Sequence, residues 1–122
     1  MKLLFKKIWR KWQYSITGLF TAIKEEKSLW SYFGAYIILI GLGIWVKLNF
    51  IEWSIVILTM FLTLSIEVIN TALEAAVDAM SFQYNIKVKK IKDIAAGATL
   101  VITSGAVIVW LLIFIPKFME GF

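Results

Sequence analysis

The sequence contains no cysteine, no histidine and a single proline among its 122 residues. The first two absences exclude disulfides, thiolate metal sites and imidazole catalysis, so any chemistry must use carboxylates, amides, hydroxyls and lysines. Charge is also scarce: charged residues make up 17% of the chain and apolar residues 61%, with a mean hydropathy of +0.83. Soluble domains are usually about 45–50% apolar. The composition therefore predicts one integral membrane domain over residues 1–122.

Three stretches carry no charged residue: Ser28–Val46, Trp53–Ile66 and Ile94–Ile115. The first and the third have the length of about 20 residues that a helix needs to cross a bilayer. The second is long enough only if it continues through the polar motif that follows it. We therefore expect membrane helices over about 28–46, 51–80 and 93–115, with Pro116 placed where it can end the last helix.

The N-terminal segment, residues 1–27, is rich in lysine and lacks the long apolar run of a cleavable signal peptide, so we expect it to remain in the protein. At helical period its apolar side chains form one stripe, with basic residues toward other faces. The stripe comprises Leu4, Ile8, Trp12, Ile16, Leu19 and Ile23. This pattern predicts an amphipathic helix that lies in the membrane interface.

Basic residues are concentrated in this N-terminal segment and in an expected loop that includes Lys87–Lys92, whereas residues 47–52 and the C-terminus have few. Cytoplasmic loops are typically the basic ones. We therefore expect a multi-pass protein of the inner or plasma membrane with a cytoplasmic N-terminus and an external C-terminus.

A polar motif, SIEVINTALEAAVD, follows the second apolar stretch at Ser65–Asp78. On a helix its polar side chains fall within an arc of about 100°. They are Glu67, Asn70, Thr71, Glu74 and Asp78. A carboxylate facing lipid would be costly, so we expect this polar stripe to face other helices or a water-filled cavity.

Three functions are compatible with the polar stripe. Its carboxylates repel one another unless a cation neutralises them, and carboxylate oxygens suit Mg²⁺, which favours a nucleotide site. Alternatively, the stripe is a packing seam in which polar side chains, Ala72 and Ala75 join the helices of an oligomer. Intramembrane acids also line ion and proton paths.

A second polar cluster, KVKKIKDIAAGAT, opens the third span and places Lys92 and Asp93 at its expected N-terminus. Helix N-terminal amides together with adjacent lysines favour phosphate binding. Lysines in such a segment also fix topology or bind lipid headgroups. The two clusters together favour phosphate chemistry over a packing seam.

The two motifs, EVINTALEAAVD followed by KDIAAGA, resemble the signature of the prokaryotic diacylglycerol kinase and undecaprenol kinase family, and the likeness extends over essentially the whole chain. The resemblance implies an all-α integral membrane homotrimer, with three transmembrane helices and an amphipathic surface helix per subunit and with active sites between subunits. It implies a lipid kinase that uses ATP and Mg²⁺ and has no nucleic-acid partner. The Asn-Thr-Ala-Leu-Glu version of the motif and the ending LLIFIPKF are more similar to the undecaprenol branch than to the diacylglycerol branch. In keeping with this family, the sequence has neither a G-x-x-x-x-G-K-[ST] loop nor an H-R-D signature.

The resemblance also implies roles for individual residues. Glu67 matches the general base for the lipid hydroxyl, and Glu26 and Glu74 match the ligands of the metal in Mg-ATP. The positions that match the nucleotide site are Lys7, Tyr14, Glu26, Asn70, Glu74, Asp78, Gln83, Tyr84, Asn85, Lys92 and Asp93. Trp110 occupies a lipid-substrate position.

Two features depart from the family pattern. Asn85 stands where relatives commonly have histidine. Lys27, Ser28 and Leu29 follow Glu26 where an asparagine or alanine and then an aromatic residue are frequent. The first departure bears on contact with the nucleobase, and the second bears on packing of the surface helix.

Overall fold

The computed structural model describes residues 1–80 and 86–120, and these residues form four α-helices. They are α1 (Lys2–Glu25), α2 (Ser28–Val46), α3 (Phe50–Met80) and α4 (Ile86–Met119). By length and composition, α2, α3 and α4 are each able to cross a membrane. The all-helical architecture with three candidate membrane spans is therefore confirmed.

Helices α3 and α4 pack along each other as an antiparallel pair. Three side-chain contacts show the register, with distances of 3.2 Å for Glu52–Lys117, 2.7 Å for Thr59–Trp110 and 2.6 Å for Asp78–Lys92. Residues closer to the C-terminus of α3 thus contact residues closer to the N-terminus of α4. Helix α2 packs against both members of this pair.

Both helices of the pair are longer than a bilayer requires. At a rise of about 1.5 Å per residue, the 31 residues of α3 and the 34 residues of α4 extend roughly 45–50 Å, against about 30 Å of hydrocarbon. Part of each helix would therefore project beyond the hydrocarbon of a bilayer that it crosses. The polar stripe on the C-terminal half of α3 and the lysines on the first turns of α4 are at the same end of the pair, because Asp78 contacts Lys92.

The start of α4 corrects the sequence-based expectation. The helix begins at Ile86 rather than near residue 93. Residues 86–92 continue the helix because Val88 is buried while the neighbouring Lys89 and Lys90 are exposed, and lysine is a good helix former. The segment 87–92 is thus helical and not a loop. Lys92 and Asp93 lie inside α4, so the expectation that free N-terminal amides stand beside them is wrong.

Pro116 does not end α4, which continues to Met119. Proline has no amide hydrogen, so α4 lacks one hydrogen bond to the carbonyl four residues earlier. The last turn still closes, since the Glu120 amide donates to the Pro116 carbonyl at 3.0 Å. Lys117 in this turn is 3.2 Å from Glu52, a contact that joins the end of α4 to the start of α3.

Local hydrogen bonds close the turn between α2 and α3. Lys47 adopts the left-handed conformation, with φ 60° and ψ 63°, and the Leu48 amide donates to the Gly43 carbonyl at 3.1 Å, which ends α2. Asn49 and Glu52 then exchange two bonds. The Glu52 amide donates to Asn49 Oδ1 at 2.9 Å, and the Asn49 amide donates to Glu52 Oε1 at 3.0 Å. This reciprocal cap starts α3.

The core lies between α2 and the α3–α4 pair. Its buried members that pack together are Tyr36, Val46, Leu48, Val56, Met60 and Phe114. Helix α1 has no buried residue and contacts α3. Large apolar side chains are exposed on every helix, as expected where lipid or another copy of the chain covers them. The interfacial position of α1 and the homotrimer stay predictions.

Candidate active site

Glu67 lies on α3 with only 7% of its surface exposed. Two hydroxyl groups of α2 contact its carboxylate: Ser28 Oγ donates to Oε1 at 2.9 Å, and the Tyr32 hydroxyl donates to Oε2 at 3.4 Å. Ser28 and Tyr32 are four residues apart, so they lie on one face of α2, one turn from each other. Each oxygen of the Glu67 carboxylate therefore has its own donor.

Ser28 and Tyr32 also connect Glu67 to two further groups. Ser28 Oγ lies 3.2 Å from Glu26 Oε1, and the Tyr32 hydroxyl lies 3.4 Å from Thr103 Oγ1 of α4. An ionised carboxylate only accepts hydrogen bonds, so while Tyr32 donates to Glu67, Thr103 is the donor to Tyr32. We call these five side chains the Glu67 cluster; it extends from the α1–α2 junction to α4.

The junction between α1 and α2 places Glu26 in this cluster. Helix α1 ends at Glu25, and Glu26 is extended, with φ −106° and ψ 107°. Its amide still donates to the Ala22 carbonyl at 2.9 Å, and α2 begins two residues later at Ser28. The short junction brings the Glu26 carboxylate and the Ser28 hydroxyl together beside α3.

Asn70 and Glu74 lie one and two turns beyond Glu67 on the same face of α3. Asn70 is 9% exposed, and its Nδ2 donates to Glu74 Oε1 at 3.3 Å. The Asn70 Oδ1 atom is buried and has no hydrogen-bond partner in the described part of the chain. Buried polar atoms are normally paired. Asn70 Oδ1 is thus an open acceptor position next to a carboxylate.

Ion pairs surround the outer end of the polar stripe. Asp78 Oδ1 is 2.6 Å from Lys92 Nζ, and Asp93 Oδ2 is 2.6 Å from Lys89 Nζ. The Asp78 side chain is 61% exposed, whereas Glu67 is buried. Exposure therefore increases along the polar stripe from Glu67 toward Asp78, as expected for a helix that leaves the hydrocarbon and enters water.

Two cavities lie along the helices that carry the predicted site residues. A cavity of about 570 Å³ lies between α1 and α3, and its lining includes Tyr14 and Thr71. A second cavity, of about 250 Å³, is lined by residues that include Tyr32, Thr103 and Trp110. The second cavity thus joins the Glu67 cluster to Trp110, whose Nε1 donates a hydrogen bond to α3.

The acidic side chains do not converge on one point. Within residues 1–80 and 86–120, no group of three or more acidic residues is close enough to hold a metal ion by itself. Glu26 is next to Glu67 through Ser28, while Glu74 is two turns further along α3. Any metal held here takes at most two carboxylates of one chain.

The predicted site residues fall into three groups. The structure gathers one group along the polar stripe and the start of α4: Glu26, Glu67, Asn70, Glu74, Asp78, Lys92 and Asp93. A second group lies elsewhere: Lys7 is exposed on α1, Tyr14 lines the larger cavity, and Trp110 lines the smaller one. Gln83, Tyr84 and Asn85 lie outside the described residues.

Sequence reasoning missed three members of the Glu67 cluster: Ser28, Tyr32 and Thr103. Ser28 was noticed only as a departure from the family pattern. The sequence does indicate that Ser28 and Tyr32 lie on one face of α2, because they are four residues apart at the start of an apolar helix. Nothing in the sequence indicates that this face of α2 turns toward Glu67.

Comparisons with known proteins identify the family. The family model described as "Prokaryotic diacylglycerol kinase" matches residues 13–114. The "Undecaprenol kinase" of Bacillus subtilis (strain 168) is 34% identical over 100 residues, which cover 82% of this chain and 81% of the relative. The "Diacylglycerol kinase" of Helicobacter pylori (strain J99) is 34% identical over 97 residues, covering 80% and 76%. The "Diacylglycerol kinase" of Escherichia coli (strain K12) is 27% identical over 106 residues, which cover 87% of this chain and 87% of the relative. Since the family model matches well over half of this chain, the chain belongs to the prokaryotic diacylglycerol kinase family.

Proposed function

We propose that this chain is a membrane lipid kinase that transfers the γ-phosphoryl group of ATP to the hydroxyl of a lipid alcohol, with undecaprenol as the preferred acceptor. The observation that carries the proposal is the buried, hydrogen-bonded carboxylate of Glu67 at the inner end of a polar stripe that reaches water at Asp78. A lipid hydroxyl approaches Glu67 from the hydrocarbon, and the phosphates of ATP approach from the water.

The chemistry assigned to this chain is mainly positioning and charge neutralisation, since phosphoryl transfer needs little covalent participation from the protein. Glu67 accepts the proton of the lipid hydroxyl as its oxygen attacks the γ-phosphorus in line, and ADP leaves. Lys92 supplies positive charge to the phosphates. Asn70 Oδ1 accepts only, so it suits a hydroxyl or a cation, while the amide nitrogen of the same side chain suits a phosphate oxygen.

The oxygen donors also fit magnesium. Mg²⁺ at nucleotide sites is usually held by one or two carboxylates, with phosphate oxygens and waters completing its shell. Glu74 and the unpaired Asn70 Oδ1 beside it supply two oxygen donors. We assign Glu26 as the second carboxylate; because Glu26 lies beside Glu67, two turns from Glu74 within one chain, one ion would take Glu26 and Glu74 from neighbouring subunits. When bound, the ion neutralises negative charge on the phosphates.

We assign the nucleotide to the exposed half of the polar stripe, together with Lys7, Tyr14, Asp78 and Asp93 and with the three positions 83–85. The smaller cavity is lined largely by apolar and aromatic side chains and joins Trp110 to the Glu67 cluster. It suits the first part of a lipid chain whose hydroxyl reaches Glu67.

Undecaprenol as the preferred acceptor rests on the version of the polar motif in α3 and on the B. subtilis relative. A purified-protein assay tests it, with labelled ATP, Mg²⁺ and mixed micelles that contain either undecaprenol or diacylglycerol. We expect phosphorylated lipid from both and the higher kcat/KM with undecaprenol. A higher value with diacylglycerol would refute the acceptor preference alone, and no phosphorylated lipid from either would refute the kinase assignment.

Kinetics of single variants test the residue roles. Glu67→Gln should lower kcat by roughly 10²–10⁴-fold, the usual contribution of a positioned base, with little change in the KM for Mg-ATP. Glu74→Gln and Glu26→Gln should instead raise that KM, with partial recovery at higher Mg²⁺ concentration. If Glu67→Gln keeps its kcat and loses nucleotide affinity, Glu67 belongs to the metal site.

We also propose a homotrimer in the inner or plasma membrane, with the N-terminus and the Asp78 end cytoplasmic and the sites shared between subunits. The support is that one chain leaves the outer half of the polar stripe and many apolar side chains uncovered. Inactive Glu67→Gln and Lys92→Ala subunits, mixed before assembly, should recover part of the activity if the two residues of one site come from different chains. Well-mixed oligomers with no recovery would show that each site belongs to one chain.

A further inference from the structure

Ser28 uses its hydroxyl in a way that its position in the sequence does not predict. A serine at the start of a helix commonly caps the helix by accepting a hydrogen bond from a backbone amide of the first turn. Helix α2 has Lys27 at its N-cap and no side-chain cap bond. Ser28 Oγ instead donates to Glu67, 39 positions away, at 2.9 Å. Its contact is therefore tertiary and directed at the proposed base.

The two hydroxyls of α2 together fix how the Glu67 carboxylate is turned. The last torsion of a glutamate side chain is broad, so a carboxylate with one partner rotates readily. Ser28 contacts one oxygen and Tyr32 the other, and Tyr32 is in turn contacted by Thr103. Two hydroxyls of α2, one of them held in turn by Thr103 of α4, thus define the plane of the Glu67 carboxylate on α3.

We propose that Ser28 and Tyr32 are positioning residues that orient the Glu67 carboxylate for proton abstraction, an inference that rests on the proposed role of Glu67 as the base. A small misplacement of a reacting group has a large effect on the rate of a positioned reaction. The hydroxyls act on the chemical step, so their loss should appear in kcat. Ser28 also contacts Glu26, a proposed metal ligand, and a role there would appear in the KM for Mg-ATP instead.

Four single variants test this inference in the assembled protein: Ser28→Ala, Ser28→Thr, Tyr32→Phe and the control Ser54→Ala. Ser54 is exposed near the start of α3, and its hydroxyl donates to the Phe50 carbonyl of its own helix at 2.7 Å. We expect Ser28→Ala to lower kcat on the order of 10-fold to 100-fold, as for loss of a hydrogen bond to a charged group, with an unchanged KM for Mg-ATP. Ser28→Thr keeps the hydroxyl and should recover most of that loss, and the control should match the parent protein.

A double variant adds a test whose expected result a folding defect would not produce. In the Glu67→Gln background Ser28→Ala should cause almost no further loss of kcat, because the group that it orients is already inactive. A full additional loss would overturn the inference. So would an unchanged kcat with a raised KM for Mg-ATP, which would assign the hydroxyl to Glu26.

The remaining outcomes separate this inference from the proposed function. If Ser28→Ala does not assemble, Tyr32→Phe removes the other donor and carries the same expectation, a lower kcat at constant KM for Mg-ATP. A folded Ser28→Thr variant as slow as Ser28→Ala would overturn the inference. An active parent protein with unaffected Ser28→Ala and Tyr32→Phe variants would overturn it while leaving the kinase assignment intact. A parent protein inactive on every lipid alcohol would overturn both.

Discussion

The hydrogen bond between Trp110 and Thr59 offers a test of how the proposed lipid site is held. Trp110 Nε1 donates to Thr59 Oγ1 at 2.7 Å, and the Thr59 hydroxyl itself lies 2.8 Å from the Val56 carbonyl of its own helix. Thr59→Val replaces the hydroxyl by a methyl group of similar size. The indole N–H then has no acceptor from this side chain in apolar surroundings. We expect Trp110 to lose its fixed orientation along the smaller cavity.

The size of the effect follows from the setting of this bond. Side-chain hydrogen bonds between membrane helices are worth about 0.6 kcal/mol on average and at most about 1.7 kcal/mol. The short distance of 2.7 Å places Trp110–Thr59 in the upper half of that range. A change of about 1 kcal/mol corresponds to roughly fivefold in affinity. We therefore expect the KM for the lipid alcohol to rise about three- to tenfold.

The KM for Mg-ATP should not change in Thr59→Val, because Trp110 lies seven residues beyond Thr103, about 10 Å along α4 from the Glu67 cluster. Kinetics in mixed micelles separate the KM for the lipid from the KM for Mg-ATP. The surface concentration of lipid is varied at saturating Mg-ATP, and Mg-ATP is then varied at saturating lipid. Thr59→Ser keeps the acceptor and is the matched control. Equal increases in both constants would refute a specific lipid role for Trp110, and an unchanged lipid KM would refute the reasoning about the hydrogen bond.

Two further predictions concern packing and charge. Gly43→Ala should be less stable than Gly41→Ala by about 1–3 kcal/mol in SDS unfolding, since a Cβ at Gly43 would lie 2.7 Å from the Trp53 ring while one at Gly41 has nothing within 4 Å. Equal unfolding midpoints would contradict the close approach of Gly43 to Trp53. Either single variant, Asp78→Lys or Lys92→Asp, should lose at most about 1 kcal/mol of stability, because the pair is exposed. The double variant exchanges the two charges and should restore that stability, but it should not restore the KM for Mg-ATP. Recovery of both would mean that Lys92 acts only through its ion pair with Asp78.

The sequence predicts those parts of the fold that depend on local properties. Helix α2 covers Ser28–Val46, the same residues as the first uncharged stretch, because both its length and its lack of charge follow from the hydrocarbon. The start of α4 was missed because hydropathy registers only the part of a helix that lies in lipid. Residues 86–92 are helical through lysine propensity and burial of Val88, neither of which needs a membrane.

The candidate site also has features that the sequence predicts and contacts that it does not predict. Glu67, Asn70 and Glu74 share a face because of helical periodicity alone, and the sequence predicts it. The contacts of Glu67 with Ser28 and Tyr32 join residues 39 and 35 positions apart. Such contacts depend on how α2 is rotated about its axis against α3, and that rotation is set by packing of the whole core. A sequence pattern identifies the polar face but does not identify its partners.

The polar stripe also explains how one helix can serve substrates from two phases. Glu67, the proposed base for the lipid hydroxyl, is buried, and Asp78, eleven residues later and so roughly 16 Å along α3, is exposed. Soluble kinases exclude water from the reacting groups by closing a loop or a domain. Here the packing of α2, α3 and α4 already buries the proposed base. The requirement that remains is a second wall for the nucleotide beside the exposed half of the stripe, and a neighbouring copy of the chain can supply it.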